Sequence, residues 1–465
     1  MDIDKLAVLA LADTMLASDG SMVALVGACQ RVFAAPQAWA PRVCAALIEH
    51  AGENFHYFSR HELADILWQL LGRAACDADT DTDTDTDGDA DDLAALAAPP
   101  IIALPPVRHY CIDPPLRPAA PAWLAALALP QLATVGDLAA WLGEPVGALD
   151  WFADQWRLGG KAQTPLQHYH YRWVPKRSGG WRLIEIPKQR LRRLQQKILH
   201  QLLDLVPPHP AAHGFRRGHS CLTHAALHAG QPAVIRMDLK DFFPSVQAAR
   251  IHALFEKLGY PPNVAGTLAR LCVNRAPHGV LRDRQGDTAL LWSERQALTT
   301  PHLPQGAPSS PALANLCAYR LDMRLAALAQ TLGASYSRYA DDLAFSGGED
   351  FARAAARFHI QVAAIALEEG FRVNTRKTRL MRAGARQQVT GVVVNAHPNL
   401  ARDEYDRLKA VLTNCVRHGP ASQNRAGHAD FRAHLAGKIS HTRMLNALRA
   451  GRLQALFEAI AWDLH

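Results

Sequence analysis

The chain has 465 residues, of which 49% are apolar, so it can build sizeable cores and suggests about three structural units. Its net charge of +7 and isoelectric point near 9.0 favour a polyanionic partner. No apolar run approaches the roughly 18 residues that span a bilayer, the start of the chain lacks a basic signal segment, and the cysteines form no C-x-x-C pair. These features exclude a transmembrane protein and a disulfide scaffold, and they predict a cytoplasmic protein with no membrane partner.

The first part of the chain predicts helices followed by a linker. Residues 1–75 are expected to form a helical N-terminal domain, because apolar residues recur there at helical spacing. Residues 76–121 are expected to be a linker, since the acidic Asp-Thr tract at 77–92 cannot bury a core and prolines keep the following stretch extended. A calcium loop is the alternative for this tract, but its twelfth position falls on Ala94 instead of a bidentate acid, so we reject it.

A second helical segment, predicted at 122–160, precedes a basic stretch. Thr134 is predicted to cap a helix that runs from Val135 to Leu142. Residues 161–217 contain 12 Lys or Arg and only 2 Asp or Glu, a bias that favours a phosphate-binding surface over an ordinary solvated helix face. From about residue 165 the pattern is mixed α/β.

Two acidic motifs carry the predicted chemistry. Residues 234–245, VIRMDLKDFFPS, predict a short buried strand with Asp238 at the sheet rim, where metals and phosphates can reach it. Residues 336–346, YSRYADDLAFS, predict a tight hairpin with Asp341 and Asp342 at its tip, because a turn is needed to bring two adjacent carboxylates near one site. Taken singly, the first acid could be a helix cap and the acid pair a polar hairpin tip.

Together the three carboxylates suit phosphoryl transfer. Mg²⁺ prefers oxygen ligands and keeps several waters, sharing its coordination sphere with substrate phosphates. Two such ions activate an attacking hydroxyl and stabilise a leaving pyrophosphate, and phosphoryl transfer depends mostly on positioning and charge neutralisation. We therefore expect two Mg²⁺ ions, for which Mn²⁺ could substitute, at these acids.

The order of the motifs resembles the fingers and palm of reverse transcriptases. The resemblance covers roughly the last two-thirds of the chain and rests on segments at 171–184, 213–220, 303–311 (LPQGAPSSP) and 370–378 (GFRVNTRKT), together with the two acidic motifs. It implies an α+β right-hand polymerase, with fingers and an antiparallel-sheet palm at 161–400, a short helical thumb at 401–465 and a mainly helical N-terminal extension. The implied activity is that of an RNA-directed DNA polymerase that uses dNTPs.

The resemblance also implies roles for individual residues at matching positions. The predicted metal ligands are Asp238, Leu239, Asp341 and Asp342. Lys377 is expected to assist pyrophosphate departure as a catalytic residue. The predicted nucleotide-binding residues are Lys176, Arg182, Phe243, Gln305 and Gly306. Among them, Phe243 occupies the position of the steric gate, where a ring would clash with a ribose 2′-hydroxyl. The alternative is core packing for this ring and ordinary surface charge for the basic side chains.

Two further segments resemble retron reverse transcriptases, which make a small single-stranded DNA joined to their own RNA. Val389, Thr390 and Gly391 match the Val-Thr-Gly signature, which in that family binds a stem-loop of the cognate noncoding RNA. Asn274 and His278 keep the spacing of the Asn-Ala-x-x-His signature, although Arg275 replaces the expected alanine. We predict that these residues and Lys438, in the thumb segment, bind RNA.

Retron resemblance implies the product and the partners. The product would be a 2′,5′-branched RNA–DNA molecule. The partners would be the cognate noncoding RNA, its cDNA, host RNase H and an effector protein. The biological setting would be antiphage defence. We expect no RNase H-like or endonuclease domain to follow the thumb, which favours a retron enzyme over an integrating element. The alternatives are a group II intron-like, diversity-generating or abortive-infection reverse transcriptase, or a non-catalytic RNA-binding defence protein.

A zinc site is one further alternative within this part of the chain. Cys221, His224 and His228, with His219, are residue types that bind zinc. We favour a helix that follows the Arg-Arg-Gly loop, and we assign no metal to these residues.

Overall fold

A computed structural model describes residues 3–52, 55, 58, 60–76, 104–111, 122–154, 166–176, 179–282 and 290–462. The acidic tract at 77–92, predicted to be linker, lies outside the described residues. The helices of the described part are, in chain order, α1 (Ile3–Leu16), α2 (Met22–Phe33), α3 (Ala40–Ala51), α4 (Arg60–Cys76), α5 (Ala122–Ala125), α6 (Val135–Leu142), α7 (Val146–Ala153), α8 (Gln189–Gln201), α9 (Cys221–Ala226), α10 (Phe242–Ser245), α11 (Ala248–Lys257), α12 (Pro262–Cys272), α13 (His278–Arg282), α14 (Trp292–Thr299), α15 (Ser310–Cys317), α16 (Tyr319–Gln330), α17 (Glu349–Glu368), α18 (Arg402–His418), α19 (Phe431–Leu445) and α20 (Ala447–Glu458).

The strands of the described residues form antiparallel sheets. They are β1 (Tyr169–Pro175), β2 (Trp181–Pro187), β3 (Ala233–Lys240), β4 (Ser335–Tyr339), β5 (Asp342–Gly347), β6 (Arg372–Val373), β7 (Arg379–Arg382), β8 (Gln388–Val389) and β9 (Val392–Val393). The mixed helix and sheet content, the antiparallel sheets and the helical N-terminal region confirm the predicted fold class. No helix of the described residues is long and apolar enough to cross a membrane.

Contacts divide the chain into two compact units, Met1–His168 with Ala248–Cys272, and Tyr169–Gln247 with Val273–His465. In the first unit, α1 to α4 enclose a core of aliphatic side chains. The segment 104–111 lies against this core, because Leu104 and Val107 pack on it and the backbone N–H of Arg108 donates to the carbonyl of Val32 at 2.8 Å. The five-segment domain division stays a prediction.

The start of α6 follows the sequence closely. The Thr134 hydroxyl accepts from the N–H of Asp137 at 3.0 Å, and the Asp137 carboxylate accepts from the N–H of Thr134 at 2.9 Å. This reciprocal pair satisfies two amide donors at the helix start. The predicted cap and both ends of this helix are therefore confirmed.

The second unit is built on one sheet with the order β4-β5-β3-β6, in which β7 also pairs with β3. The central strand β3 has an almost wholly buried sequence, as expected for a strand covered on both faces. Its first half pairs with β7 and its end pairs with β6, so that Leu239 lies opposite Val373. This arrangement leaves the carboxyl end of β3 beside the β4–β5 turn.

A fully buried ion pair lies beneath that turn. Arg338, on β4, donates from Nε to Asp322 Oδ1 at 2.8 Å and from Nη2 to Oδ2 at 2.6 Å. Its Nη1 also donates to the carbonyl of Ala340 in the turn and to the Asn315 side chain, both at 3.0 Å. Burial alone lowers the pKa of Arg338, but the attraction of Asp322 outweighs it and the pKa is raised. The guanidinium thus stays charged and ties the turn to α15 and α16.

Removal of one partner from this pair should be strongly destabilising. Asp322→Ala leaves a buried arginine without its counter-charge, which costs about 3–5 kcal/mol of unfolding free energy in such pairs. Urea denaturation measures the loss, with Asp350→Ala, an exposed acid of α17, as control. The combined substitution Asp322→Leu with Arg338→Met should recover much of the stability, because it leaves no unpaired charge. A loss below about 1 kcal/mol for Asp322→Ala would contradict the assignment.

Candidate active site

The three predicted acids meet where β3 ends beside the β4–β5 turn. Asp238 and Asp342 are directly opposed across the β3–β5 ladder. The N–H of Leu239 donates to the carbonyl of Asp341 at 2.8 Å, which fixes the turn against the strand end. The fold therefore brings together residues that lie about a hundred positions apart in the sequence.

The acid-bearing turn is short and strained. Ala340 has φ +57°, a left-handed conformation that an alanine adopts only at a cost of roughly 1–2 kcal/mol. Gly214 packs directly beneath it, since a Cβ on this glycine would lie 2.5 Å from the Ala340 nitrogen. Strain of this kind concentrates at functional sites, where the surroundings hold it in place.

Cationic and amide side chains surround the carboxylates. Arg236, two residues before Asp238 on the same face of β3, donates to Asp342 Oδ1 from Nη2 at 2.9 Å and from Nε at 3.1 Å. Lys377 Nζ lies 2.8 Å from Asp238 Oδ1, so this predicted catalytic lysine does reach the acid cluster. Asn374 adds a backbone N–H to the Asp238 carbonyl at 2.7 Å.

Sequence reasoning assigned no role to Arg236 or Asn374. Arg236 could have been found from its position two residues before Asp238 on a predicted strand, because alternate residues of a strand share a face. The asparagine gave no signal of its own, since its contact depends on β6 pairing with the end of β3.

Burial and neighbouring carboxylates both act on Asp341 and Asp342. Burial, followed by the nearby carboxylates of Asp342 and Asp238, raises the pKa of Asp341. Burial also raises the pKa of Asp342, although Arg236 opposes the shift. A cation bound among these groups would relieve the repulsion, which is a favourable setting for a divalent ion.

The carboxylate oxygens of the acid cluster are ligands of the type that hard cations prefer, but they do not enclose a metal ion by themselves. In the described part of the chain, no three carboxylate, imidazole or thiolate groups are arranged to hold a metal ion by themselves. Two of the carboxylates are engaged by Arg236 and Lys377. Mg²⁺ in phosphoryl-transfer sites uses one or two protein carboxylates together with water and substrate phosphates. The chemistry of Asp238 and Asp341 fits that requirement, and their role as ligands stays a prediction.

The predicted nucleotide-binding residues lie in different places. Phe243 is half-buried in α10, and the centroid of its ring lies 6.0 Å from that of Phe215. Phe215 is an exposed aromatic residue with φ +60°, to which the sequence analysis assigned no role. Lys176 Nζ lies 3.8 Å from Asp241 Oδ1, three positions beyond Asp238. Arg182 is exposed on the β1–β2 hairpin, opposite Val174.

The Gln305–Gly306 loop is locked onto β2. The N–H of Glu185 donates to the carbonyl of Gln305 at 2.8 Å. Gly306 has φ +133°, and a Cβ there would lie 2.7 Å from the Glu185 carbonyl oxygen. The close approach of two backbones thus requires glycine at this position.

Asn274 belongs to a buried network behind the same loop. Its Nδ2 donates to Glu185 Oε1 at 2.8 Å and to the Tyr171 hydroxyl at 3.1 Å. The second Glu185 oxygen lies 3.0 Å from His302 Nε2, and this pair is fully buried. Burial alone lowers the pKa of His302, but Glu185 raises it overall. This network joins the β1–β2 hairpin to the segment that carries the retron-like asparagine.

The Val-Thr-Gly segment forms the β8–β9 hairpin. Val389 is buried in a small core, whereas Thr390 and Gly391 form the two-residue turn with φ +47° and +85°. Both central residues of a type I′ turn have positive φ, which glycine tolerates and a β-branched threonine resists. The Thr390 hydroxyl oxygen is buried without a hydrogen-bond partner among the described atoms.

The remaining predicted RNA-binding residues are exposed side chains on two different helices. His278 begins α13, and Lys438 lies on α19. Their assignment stays a prediction.

Two of the histidines considered for zinc, His224 and His228, are buried against the sheet instead. His228 is hydrogen-bonded to Ser346 Oγ and Ser337 Oγ, both at 2.7 Å, and Ser337 Oγ also lies 2.7 Å from His224 Nδ1. Cys221 and His224 lie on α9, as the favoured helical interpretation predicts. Burial lowers the pKa of His224 to about 2 and that of His228 to about 4.

An antiparallel sheet with one acid at a strand end and two at the adjoining hairpin defines the palm of a nucleic-acid polymerase. Residues 174–405 match the family described as reverse transcriptase (RNA-dependent DNA polymerase). The chain is 42% identical to the retron Mx65 reverse transcriptase of Myxococcus xanthus, over 71% of this chain and 73% of that one. It is 36% identical to the retron Mx162 reverse transcriptase of the same organism, over 64% of this chain and 62% of that one.

The chain belongs to the retron reverse transcriptases, and it is an RNA-directed DNA polymerase with an RNA template as partner. The family and activity predicted from its motifs are therefore confirmed. Among solved structures, a foamy viral protease-reverse transcriptase in complex with double-stranded DNA is 14% identical, with a TM-score of 0.31, over 64% of this chain and 44% of that one. That likeness is too weak to carry an argument.

Substitution of Gly306 should impair polymerisation. Gly306→Ala places a methyl group against the Glu185 carbonyl and must shift the loop, and a displacement of about 1 Å near a reaction centre can cost about 100-fold in rate. We expect kcat/KM for primer extension on an RNA template to fall by that order. Gly384→Ala is the matched control, because its added Cβ meets no atom within 4 Å. Wild-type kcat/KM for Gly306→Ala would exclude a need for this close approach.

The buried histidines should make the protein sensitive to acid. Their ordinary pKa of 6.5 falls to about 4 for His228, so the unfolded chain binds more protons in the window between these values. Their contribution to stability is complete above pH 6.5 and is lost as the pH falls towards 4, at up to about 1.4 kcal/mol per pH unit for each histidine. Urea denaturation at pH 7.5, 6.5 and 5.5 measures this slope.

The variant His228→Asn isolates one histidine of this group. We expect a flatter dependence of unfolding free energy on pH in this window, since one titrating group is gone. His418→Asn, an exposed histidine of α18, should leave the slope unchanged. Equal slopes for all three proteins would refute the explanation.

Proposed function

We propose that this polymerase copies part of a cognate noncoding RNA into single-stranded DNA, the retron msDNA, with a 2′,5′-branched junction between RNA and DNA. The observation that carries the proposal is the opposition of Asp238 and Asp342 beside Asp341 in a chain of this family. The branched product and a setting in antiphage defence follow from family resemblance. The expected partners are the noncoding RNA, its cDNA, dNTPs, host RNase H and an effector protein, in the cytoplasm.

Asp238 and Asp341 would hold two Mg²⁺ ions, and Asp342 would assist. Such ions supply charge neutralisation for the attacking hydroxyl and for the pyrophosphate, and Mn²⁺ could substitute. Arg236 keeps the Asp342 carboxylate oriented through two donors. Leu239 fixes the acid turn through its N–H bond to Asp341, and its carbonyl is the one oxygen it could offer as a ligand.

Lys377 has two tasks in this proposal. In the described state its ammonium neutralises Asp238, 2.8 Å away. Once cations take over that neutralisation, the ammonium is available to donate to the departing pyrophosphate. Its partial exposure, 44% of the side chain, fits a group that changes partners during the reaction.

The incoming dNTP is proposed to lie between Phe243 and the β1–β2 hairpin. The Phe243 ring, supported by Phe215, would exclude a ribose 2′-hydroxyl. Lys176 and Arg182 would contact the triphosphate, and Gln305 and Gly306 would position the template base. The bond between Glu185 and Gln305 supports this loop from behind.

RNA recognition is proposed to involve the retron-like segments. The exposed turn at Gly391 offers backbone donors, while Val389 anchors the hairpin in its core. His278 and Lys438 present exposed side chains, and Asn274 would contribute by holding its segment in place.

The decisive experiment is a denaturing gel of nucleic acid that copurifies with the chain when it is expressed with its upstream flanking DNA. A discrete DNA band that shifts after RNase treatment indicates attached RNA, and a shift after treatment with a debranching enzyme supports the branched product. Asp341→Asn should remove the band and lower primer extension by about a thousand-fold or more, the equivalent of roughly 4 kcal/mol.

Asp406→Asn, an exposed acid of α18, is the control and should leave both readouts unchanged. Normal primer extension without any copurified DNA would contradict the msDNA proposal and favour another bacterial class of reverse transcriptase. Full cellular function of Asp341→Asn would instead favour the non-catalytic RNA-binding alternative.

A further inference from the structure

A basic cleft opens in the C-terminal helical region, away from the acid cluster in sequence. Its volume is about 670 Å³, and α18, α19 and the loop between them supply most of its lining. The residues that matter for its chemistry are Arg386, Arg407, Arg425, His428, His434 and Lys438. A cavity of this size lies within the range of small-molecule sites.

Three nearly parallel rings form one wall of the cleft. His428 and His434 are stacked with centroids 3.9 Å apart and planes inclined by 17°. Phe431 lies 6.2 Å from each of them, inclined by only 11° and 13°. Because His434 covers one face of His428, a nucleobase would extend the stack from the opposite face of this exposed ring.

The chain holds His428 in this stack by a local loop closure. The N–H of His428 donates to Asn424 Oδ1 at 2.8 Å, and Asn424 Nδ2 donates to the carbonyl of His428 at 2.9 Å. Phe431 and His434 are fixed independently, as neighbours on one face of α19. The stack is therefore present before any ligand binds, which lowers the entropic cost of adding a base to it.

The cleft is lined by four basic side chains, those of Arg386, Arg407, Arg425 and Lys438, against two acids, Asp403 and Glu404, so its charges favour an anion beside the rings. Arg386 is paired with Asp403 at 3.1 Å. Within the described part of the chain, Arg407, Arg425 and Lys438 take part in no ion pair, and all three are exposed. Exposed cations around an aromatic surface are the combination that binds single-stranded nucleic acid, through phosphates and stacked bases.

We infer that this cleft binds an unpaired nucleotide of a nucleic-acid strand, with its base stacked on His428 and its phosphates against Arg407, Arg425 and Lys438. A duplex does not fit this description, because its base faces are covered by neighbouring pairs. The inference rests on the chain acting on nucleic acid, not on the branched product. A thumb of this kind would bind a duplex by its shape, whereas the inferred site adds a contact with a single base.

The test uses the full chain and a 16-nucleotide strand that carries 2-aminopurine, prepared as RNA and as DNA. Each strand is offered single-stranded and annealed to its complement, without dNTPs. Fluorescence anisotropy gives the Kd, and quenching of 2-aminopurine reports stacking. The variants are His428→Ala, His428→Phe, which keeps a ring, and His418→Ala, an exposed histidine outside the cleft lining.

We expect His428→Ala to weaken binding of the single strand about 5-fold or more, the low end of what loss of one stacked base costs, and to abolish the quenching. His428→Phe should stay within about two-fold of the wild type, and duplex binding should be unchanged in all variants. The strand type that shows the His428-dependent quenching identifies the natural ligand as RNA or DNA.

Two results would overturn the inference. One is a His428→Ala variant that binds the single strand as His418→Ala does. The other is an equal loss for single strand and duplex, which would indicate a purely electrostatic surface. Primer extension by the wild type is measured separately, so that failure of polymerisation and failure of this base contact are distinguishable.

Discussion

The placement of the acids depends on the buried positive charge of the Arg338 guanidinium. Arg338 is fully buried in β4, and its guanidinium joins Asp322, Asn315 and the carbonyl of Ala340. The backbone of the same residue bonds to Ala211 and His213, which carries the Gly214 loop to the underside of the acid turn. Because an unpaired buried charge is so costly, these contacts must form together. The strained turn that carries Asp341 is held by this arrangement.

Around the acids, the protein balances charge at short range. Arg236 and Lys377 each pair with one carboxylate, while the pKa of Asp341 is raised by burial and then by both neighbouring carboxylates. On the same face of the sheet, further from the turn, His224 and His228 are kept neutral by burial and bridged by serine hydroxyls. The interior therefore offers an anionic centre to cations, with no added positive charge from the nearby histidines at neutral pH.

A second buried network gives the retron-like asparagine a physical role. Asn274 and His302 both bind Glu185, whose backbone holds the Gln305–Gly306 loop. The replacement of the expected alanine by Arg275 leaves this network intact, because the arginine side chain is exposed. Part of this signature thus acts within the protein, where it positions the loop expected to contact template and nucleotide.

The sequence by itself determined the acids, the family and some local structure. Asp238, Asp341 and Asp342 were identifiable because their flanking residues predict a strand end and a hairpin, and the Thr134 cap depends on residues only three apart. Lys377 was also identifiable from its motif, and Arg236 shares a strand face with Asp238. Tertiary structure alone decided which carboxylate each of them contacts. The contacts of Arg236 with Asp342, and of Lys377 with Asp238, join residues 106 and 139 positions apart. No local pattern encodes such pairings, because strand pairing and burial select them only when the chain has folded.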